Sequence, residues 1–285
     1  MRFHHSTADL FVPDGSDPET ALARTTHLAI AAHPDDIEIM SYHGISECFG
    51  RRDRWFTGVV VTDGAGSPRQ GIYGGHSDSQ MQEVRRAEQR KAAIIGEYSC
   101  QAQLGFPSGQ VKSAAETAVV EDLVRILDAC RPQVVYLHNL ADKHDTHVAV
   151  ALRSLAALRT LPAGGRPNQV YGCEVWRDLD WLADADKQAL PVSARPHLAA
   201  ALVGVFDSQI AGGKRYDLAT AGRRLAHATY HASHATDQEA GLTFAMDLTP
   251  LVQDPGRDIA EYVLGLIDRF RGDVERRMRA ADRQR

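Results

Sequence analysis

The segment His27–Ile45, HLAIAAHPDDIEIMSYHGI, sets an apolar run against an abrupt polar turn. His27–Ala32 is almost continuously apolar and stops short of Pro34, the pattern of a strand buried on both faces. Two adjacent carboxylates, Asp35 and Asp36, then follow a histidine at the strand's end. Neighbouring negative charges repel, and a buried strand end offers little water to screen them. A cation at this point would relieve the pair, leaving one carboxylate as its ligand and the other free to take a proton. The milder reading is a helix start, with an aspartate as cap and both acids favoured by the helix dipole.

Outward from this segment the same apolar pattern recurs. WFTGVVVTDG (55–64), PQVVYLHN (132–139) and PNQVYGCEVW (167–176) read as further buried strands. Helices are predicted over 81–98, 118–130 and 147–161. In the first, Met81, Val84, Ala87, Ala92 and Ile95 fall on roughly one side. Strands alternating with helices predict an α/β, Rossmann-like fold: a mostly parallel sheet with helices on both faces. Residues 1–25, broken by Pro13, Gly15 and Pro18, read as an irregular arm, and 26–285 as a single α/β domain. LPAGGRPN (161–168) is a turn, not a linker.

With 285 residues, 44% hydrophobic and 24% charged, the chain can build one large core. A net charge of −5 lacks the basic footprint of nucleic-acid binding. No apolar run is long enough to span a bilayer, and the first residues lack the apolar centre of a signal peptide. The expectation is a cytoplasmic protein with a small-molecule partner, no nucleic acid and no membrane; a homo-oligomer is compatible with the sequence. Cys48, Cys100, Cys130 and Cys173 lie too far apart for a C-x-x-C pair and are expected as buried thiols.

Ligands of open parallel sheets bind beyond the carboxyl ends of the strands. HPDD, TDGAGS and HNLADKHDTH each follow an apolar run, so three polar clusters should meet at one sheet edge. The third places Asp142, His144, Asp145 and His147 within six positions. Imidazole plus carboxylate is the donor set of a catalytic zinc, which takes three protein ligands and leaves a position open. One divalent metal ion, zinc by its donors, is the expected cofactor.

AHPDDIE followed by DKHDTH resembles the PIG-L/LmbE family of metal-dependent N-deacetylases. VVVTDGAGS, RRAEQRKAAIIG and YGCEVW agree in order, so the likeness covers about residues 27 to 180, and VFDSQIAGGKRYD (205–217) matches a later Ser-Gln segment. The resemblance implies His33, Asp36 and His147 as metal ligands. It implies Asp35 as the general base toward water, and His144 as general acid or as the cation polarising the amide carbonyl. Amide hydrolysis needs those functions: an activated water, a stabilised oxyanion and a proton for the amine. The implied substrate is an N-acetylglucosaminyl-type amino sugar or its conjugate. The rivals are an amidase acting on a larger thiol–sugar conjugate, and a non-catalytic sugar- or nucleotide-binding module.

The chain departs from the family pattern in two places. Thr146 stands where Asp often precedes the second histidine, and Tyr42 and His43 stand where small residues are common. His144 lies on the loop side of His147, with Asp142 and Asp145 available to raise its pKa by opposite charge. Arg69, Asp142, Asp145 and His43 are the candidate substrate contacts. Arg69 also occupies the third glycine position of a dinucleotide loop begun by Gly64-Ala65-Gly66, which argues against that fingerprint. His138 fits a pocket wall or a core position equally. Arg85 and Glu88 fit a solvated ion pair or a functional role. His227, His231 and His234 fall at one helical face, either a second metal site or, more simply, a polar face with one histidine near the site.

Overall fold

The computed structural model describes residues 1–282. Among the described residues eight strands share one sheet: β1 (Asp9–Phe11), β2 (His27–Ala31), β3 (Phe56–Thr62), β4 (Cys100–Phe106), β5 (Val134–His138), β6 (Gln169–Cys173), β7 (Lys187–Pro191) and β8 (Leu242–Asp247). Their order is β1-β4-β3-β2-β5-β6-β8-β7. β4, β3, β2, β5 and β6 run parallel, while β1, β8 and β7 join antiparallel at the flanks. The expected α/β architecture with a mostly parallel sheet is what forms. The chain first builds outward from β2 to β3 and β4, then returns to add β5 on β2's other side. The crevice this reversal opens beyond β2 and β5 is where open α/β sheets bind ligands.

The helices are α1 (Pro18–Ala23), α2 (Asp36–Met40), α3 (Tyr42–Cys48), α4 (Asp78–Ile95), α5 (Ser108–Lys112), α6 (Ala118–Cys130), α7 (Asp145–Thr160), α8 (Pro196–Gly204), α9 (Asp207–Ile210), α10 (Tyr216–Tyr230), α11 (Thr249–Gln253) and α12 (Ile259–Asp282). Successive strand residues point to opposite faces. Leu28, Ile30, Val59 and Val61 therefore pack with α6 and α7 residues such as Leu123, Ile126, Leu155 and Leu158. Ala29, Ala31, Phe56 and Val60 pack on the other face with Ile37, Ile45 and Leu202. Among the described residues no helix is long and apolar enough to cross a membrane. All four cysteines are buried free thiols.

Two expectations need correcting. The first 25 residues are not an irregular arm: β1 pairs with β4, and Asp17 caps α1 through the Thr20 N–H. α4 starts three residues earlier than predicted, at a capping box formed by Ser77 and Gln80, and it buries a different face. Ala87 is exposed, while Arg85, Glu88 and Gln89 are buried beside Met81 and Ala92. Apolar periodicity misreads this helix because its inward polar residues have partners waiting on α2, on the turn before it and on α9.

Gly44 is fixed by packing. A Cβ there would lie 2.5 Å from Cε2 of the buried Tyr136 ring, whose hydroxyl is held at 2.9 Å by His43 Nδ1. Gly44→Ala should cost about 1–3 kcal/mol by overpacking. Gly109→Ala, with nothing within 4 Å, should be neutral or stabilising; chemical denaturation of both variants checks the contrast.

Burial at the start of β2 holds the His27 imidazole down to about 4, with Arg54 and His43 adding to the effect. The unfolded chain takes that proton near pH 6.5, whereas the fold resists it until about pH 4. Stability should therefore be full above that upper value and fall as the pH drops through the window. Melting temperature against pH should show that decline, and His27→Gln should flatten it. An equally steep decline in the variant would assign the acid sensitivity elsewhere.

Candidate metal centre and cleft

The turn after β2 explains how the two aspartates coexist. Pro34 precedes Asp35, whose backbone sits at φ 96°, ψ −33°, a region costly for a residue with a Cβ. The reversal sends the two side chains to different partners. Asp36 opens α2 and turns back, its Oδ2 accepting from the His33 backbone N–H at 2.8 Å. Asp35 faces Arg85, with Oδ2 to Nη2 at 3.3 Å. Arg85 also donates to the Pro34 carbonyl at 2.5 Å, and Gln89 Oε1 accepts the Asp35 N–H at 3.3 Å. The buried polar face of α4 thus holds the strained residue in place.

His33, Asp36 and His147 converge. Asp36 Oδ2 lies 3.1 Å from His33 Nδ1 and 3.3 Å from His147 Nε2, and the two ring nitrogens are 3.2 Å apart. Three donors on a tetrahedral ion with bonds of about 2.0–2.1 Å would stand about 3.3 Å apart. The triangle therefore fits a divalent metal in size and in donor chemistry. The other nitrogen of His147, Nδ1, is 3.4 Å from Asp142 Oδ2, the outer partner a metal-binding histidine needs to fix its tautomer.

Two further clusters share His147: Asp36 with His138, and His33 with His144. His138 is fully buried, and its Nε2 accepts the Ala32 N–H at 2.8 Å. That lone pair is spent, so His138 is a wall beneath the site, stacked on His147 at 3.9 Å. His144 faces the cleft, stacked on His147 at 4.5 Å, and its Nδ1 has no hydrogen-bond partner among the described residues.

The charges sort accordingly. Burial alone would raise the Asp36 pKa, but His147, His33 and His138 outweigh it and hold the group ionised far below the ordinary range. Burial raises Asp35 well above that range; Arg85 opposes the rise, and Asp36, Glu38 and Glu88 reinforce it. Burial lowers His147, yet Asp36 and Asp142 carry it upward overall. His144 is lowered, by burial first and then by His147 and His33. This corrects the expectation that Asp142 and Asp145 would raise it. Asp142 spends its oxygens on His147, the His144 backbone N–H at 3.0 Å and the Trp176 N–H at 3.2 Å, while Asp145 is exposed at the start of α7.

A cleft of about 430 Å³ opens over the triangle. His33, Asp35, Asp36 and His144 line it, as do Thr146 and Arg85. The remaining candidate contacts lie elsewhere. Arg69 is turned into its own loop, onto the carbonyls of Ala65 and His76 and onto Asp78. His43 is bound to Tyr136 under the sheet face, and Tyr42 to the carbonyls of Ala194 and Arg195. The three-histidine face does not exist: α10 ends at Tyr230, and His227 is buried on Glu174 at 3.0 Å, outside the cleft. Arg85 and Glu88 are no solvated pair. Glu88 accepts from the Ser208 N–H and hydroxyl at 2.7 and 2.6 Å, pinning α9. Trp176, Gln209, Lys214 and Tyr216 complete the far wall. No spacing marks them; only the quoted YGCEVW and VFDSQIAGGKRYD segments could have raised them.

Residues 28–158 match the family model described as PIG-L, GlcNAc-PI de-N-acetylase. No curated protein matches the chain by sequence. Solved structures match in fold. A conserved protein from Thermus thermophilus is 19% identical with a TM-score of 0.59, over 82% of this chain and 99% of its own. The N,N'-diacetylchitobiose deacetylase from Pyrococcus horikoshii is 15% identical with a TM-score of 0.59, over 77% and 83%. The 4-carboxy-2-hydroxymuconate hydratase from Pseudomonas putida is 16% identical with a TM-score of 0.59, over 79% and 96%. At such identities the likeness is one of fold. The matched residues run from β2 into α7, the two elements whose ends bring His33, Asp36 and His147 together, and over that stretch, just under half of the chain, it is similar to the PIG-L/LmbE-like family.

Proposed function

We propose that the chain is a metal-dependent N-deacetylase, hydrolysing the acetamide of an N-acetylglucosaminyl-type amino sugar or its conjugate. The observation that carries this is the division of labour in one turn. Asp36 completes a three-donor triangle with His33 and His147, and Asp35 is held beside it as a second, separately partnered carboxylate. A binding module would need no such spare acid.

His33, Asp36 and His147 would hold the metal. When bound, the ion supplies Lewis acidity toward carbonyl and water oxygens. Asp35, with its pKa raised by burial, is suited to accept the proton as water attacks the acetyl carbon. Arg85 keeps that carboxylate facing the cleft. Burial and the neighbouring His147 and His33 lower the His144 pKa, which suits it to donate a hydrogen bond to the developing oxyanion. The proton taken by Asp35 then passes to the amine nitrogen as the C–N bond breaks, releasing acetate and free amine. The fold also occurs in a protein named a hydratase, so acetate release is the measurement that separates these chemistries.

The test is a zinc-supplemented acetate-release screen over N-acetylated amino sugars and their conjugates. One divalent ion per chain is expected by elemental analysis, lost in His33→Ala and His147→Ala and weakened about 10–100-fold in Asp142→Asn. Stoichiometric metal surviving both alanine variants would sink the ligand assignment.

Asp35→Asn should retain the metal and lose about 10²–10⁴-fold in turnover. Metal lost together with activity would make Asp35 a ligand instead.

His144→Ala should keep the metal and lose about 10²–10³-fold in turnover, the scale of one oxyanion donor. If His144 acts as a neutral donor, that variant should retain the basic limb of the pH–rate profile. A basic limb that disappears would restore His144 as a titrating acid.

A further inference from the structure

Arg224, on α10, is a buried cation that meets no carboxylate among the described residues; it is 8% exposed. Its Nη2 donates to the carbonyls of Glu38 and Ile39 at 2.9 and 3.0 Å. Its guanidinium stands 4.9 Å from the centre of the Tyr42 ring. Its Nε is buried with no hydrogen-bond partner among the described residues. The Glu38 carboxylate does not answer it, being turned to Tyr98 and Gln89 at 2.8 and 2.9 Å. Burial pushes the guanidinium down to about 10, which leaves it charged at neutral pH. Carbonyls and a ring face direct such a group without neutralising it, and a buried charge is costly until an opposite one meets it.

Arg224 lines a groove of about 320 Å³ between α8 and α10, which shares no lining residue with the metal cleft. Small side chains open it: Ala199 and Ala200 on α8, and Ala221 on α10. Val203 and Leu225 make its walls apolar, and Leu225 is 59% exposed. Its other polar groups are already committed. Ser193 Oγ accepts the N–H groups of Ala240 and Gly241 at 2.9 and 3.1 Å and donates to Glu239. Asp217 is paired with Arg215 at 2.7 Å. Arg224 is thus the uncommitted charge of a largely apolar groove, the usual makeup of a small-molecule site with one orienting anchor.

We propose that this groove is a second ligand site, separate from the metal cleft, and that it takes a small amphipathic carboxylate: the carboxyl group on Arg224 and a short aliphatic tail between α8 and α10. A guanidinium with a free N–H matches the two oxygens of a carboxylate in a charge-assisted contact. A phosphate fits less well, because the alanine and valine walls offer no donors for its remaining oxygens. The tail would cover the exposed side of Leu225 and take its own apolar surface out of water. Asp217 repels the carboxyl group only weakly, since Arg215 already answers its charge. The site stands apart from the deacetylase reading and holds whichever reaction the cleft performs.

The test is calorimetry of the full chain with three probes: octanoate, 1-octanol, which keeps the tail but not the charge, and butyrate, which keeps the charge but shortens the tail. It is run on the zinc-loaded protein and repeated after the metal is stripped. Octanoate should bind about 10–100-fold tighter than 1-octanol in both forms, the scale of one hydrogen bond to a charged group. It should also bind about 10–100-fold tighter than butyrate, from the four methylenes that differ. The preference over 1-octanol should collapse toward one in Arg224→Gln and persist in part in Arg224→Lys. Arg224 also holds the end of α2, so Arg224→Gln is read only where its melting curve stays cooperative. Ala200→Phe and Ala221→Phe, at exposed positions on the two facing helices, carry the decision in any case. Both should fill the groove and abolish octanoate binding without lowering the melting temperature of the free protein. No binding of octanoate, binding no tighter than that of 1-octanol, or a preference that survives Arg224→Gln overturns the proposal. So does octanoate binding that is unchanged in both phenylalanine variants, or that vanishes with the metal and so belongs to the cleft.

Discussion

One carboxylate oxygen, Asp36 Oδ2, organises the centre of this molecule. It faces His33, His147 and His138 and accepts the backbone N–H that closes the turn after β2. A buried charge is costly unless it is paired and hydrogen-bonded, and here the three imidazoles and a backbone N–H supply that pairing. The remaining structure serves that arrangement. β2 and β5 bring the two halves of the cluster to one crevice, α2 carries Asp36 back toward His33, and α7 presents His147. The neighbouring aspartate, forced to positive φ, is turned out of this group toward Arg85.

How much of this could be read from the residues follows from where the signal lies. β2, β3, β5 and β6 are runs of apolar residues, so their positions were legible to within a few residues, and His33, Asp36 and His147 were singled out by the motifs after β2 and β5 through the family resemblance they carry. β4 was not legible because its second face is polar: Gln101 and Gln103 are buried under α4 and hydrogen-bonded to Gln89 and to the Arg86 carbonyl. α4 was located but rotated, for the same reason. Polar residues that find buried partners reverse the usual sign of periodicity, and those partners are far away in sequence. Arg85, Glu88 and Gln89 belong to the site through contacts with Asp35, Ser208 and Glu38, separations of 50 to 120 residues.

The wall formed by Trp176, Gln209, Lys214 and Tyr216 was the least legible part. Its residues come from an irregular stretch after β6, from α9 and the turn that follows it, and from the first residue of α10, where no period singles them out. Asp142 was recognised as part of the cluster, but its role was misplaced. It orients His147 and anchors Trp176, rather than charging the ring of His144. Sequence proximity favoured His144, only two positions away; the fold of the loop instead offers Asp142 only the His144 backbone.

The two flanks of the sheet carry a separate consequence. A parallel sheet left open would present unpaired backbone groups to solvent and invite other chains to extend it. Here the outermost strands are β1, only three residues long, and β7, which closes on Pro191, a residue with no N–H to give. Lys187 at the other end of β7 sets its charge between Asp180 and Asp184. Strand-by-strand growth is thus blunted on both sides by brevity, proline and charge. Copies of this chain that associate must meet through helices and loops, and the sheet stays a scaffold of fixed width under its crevice.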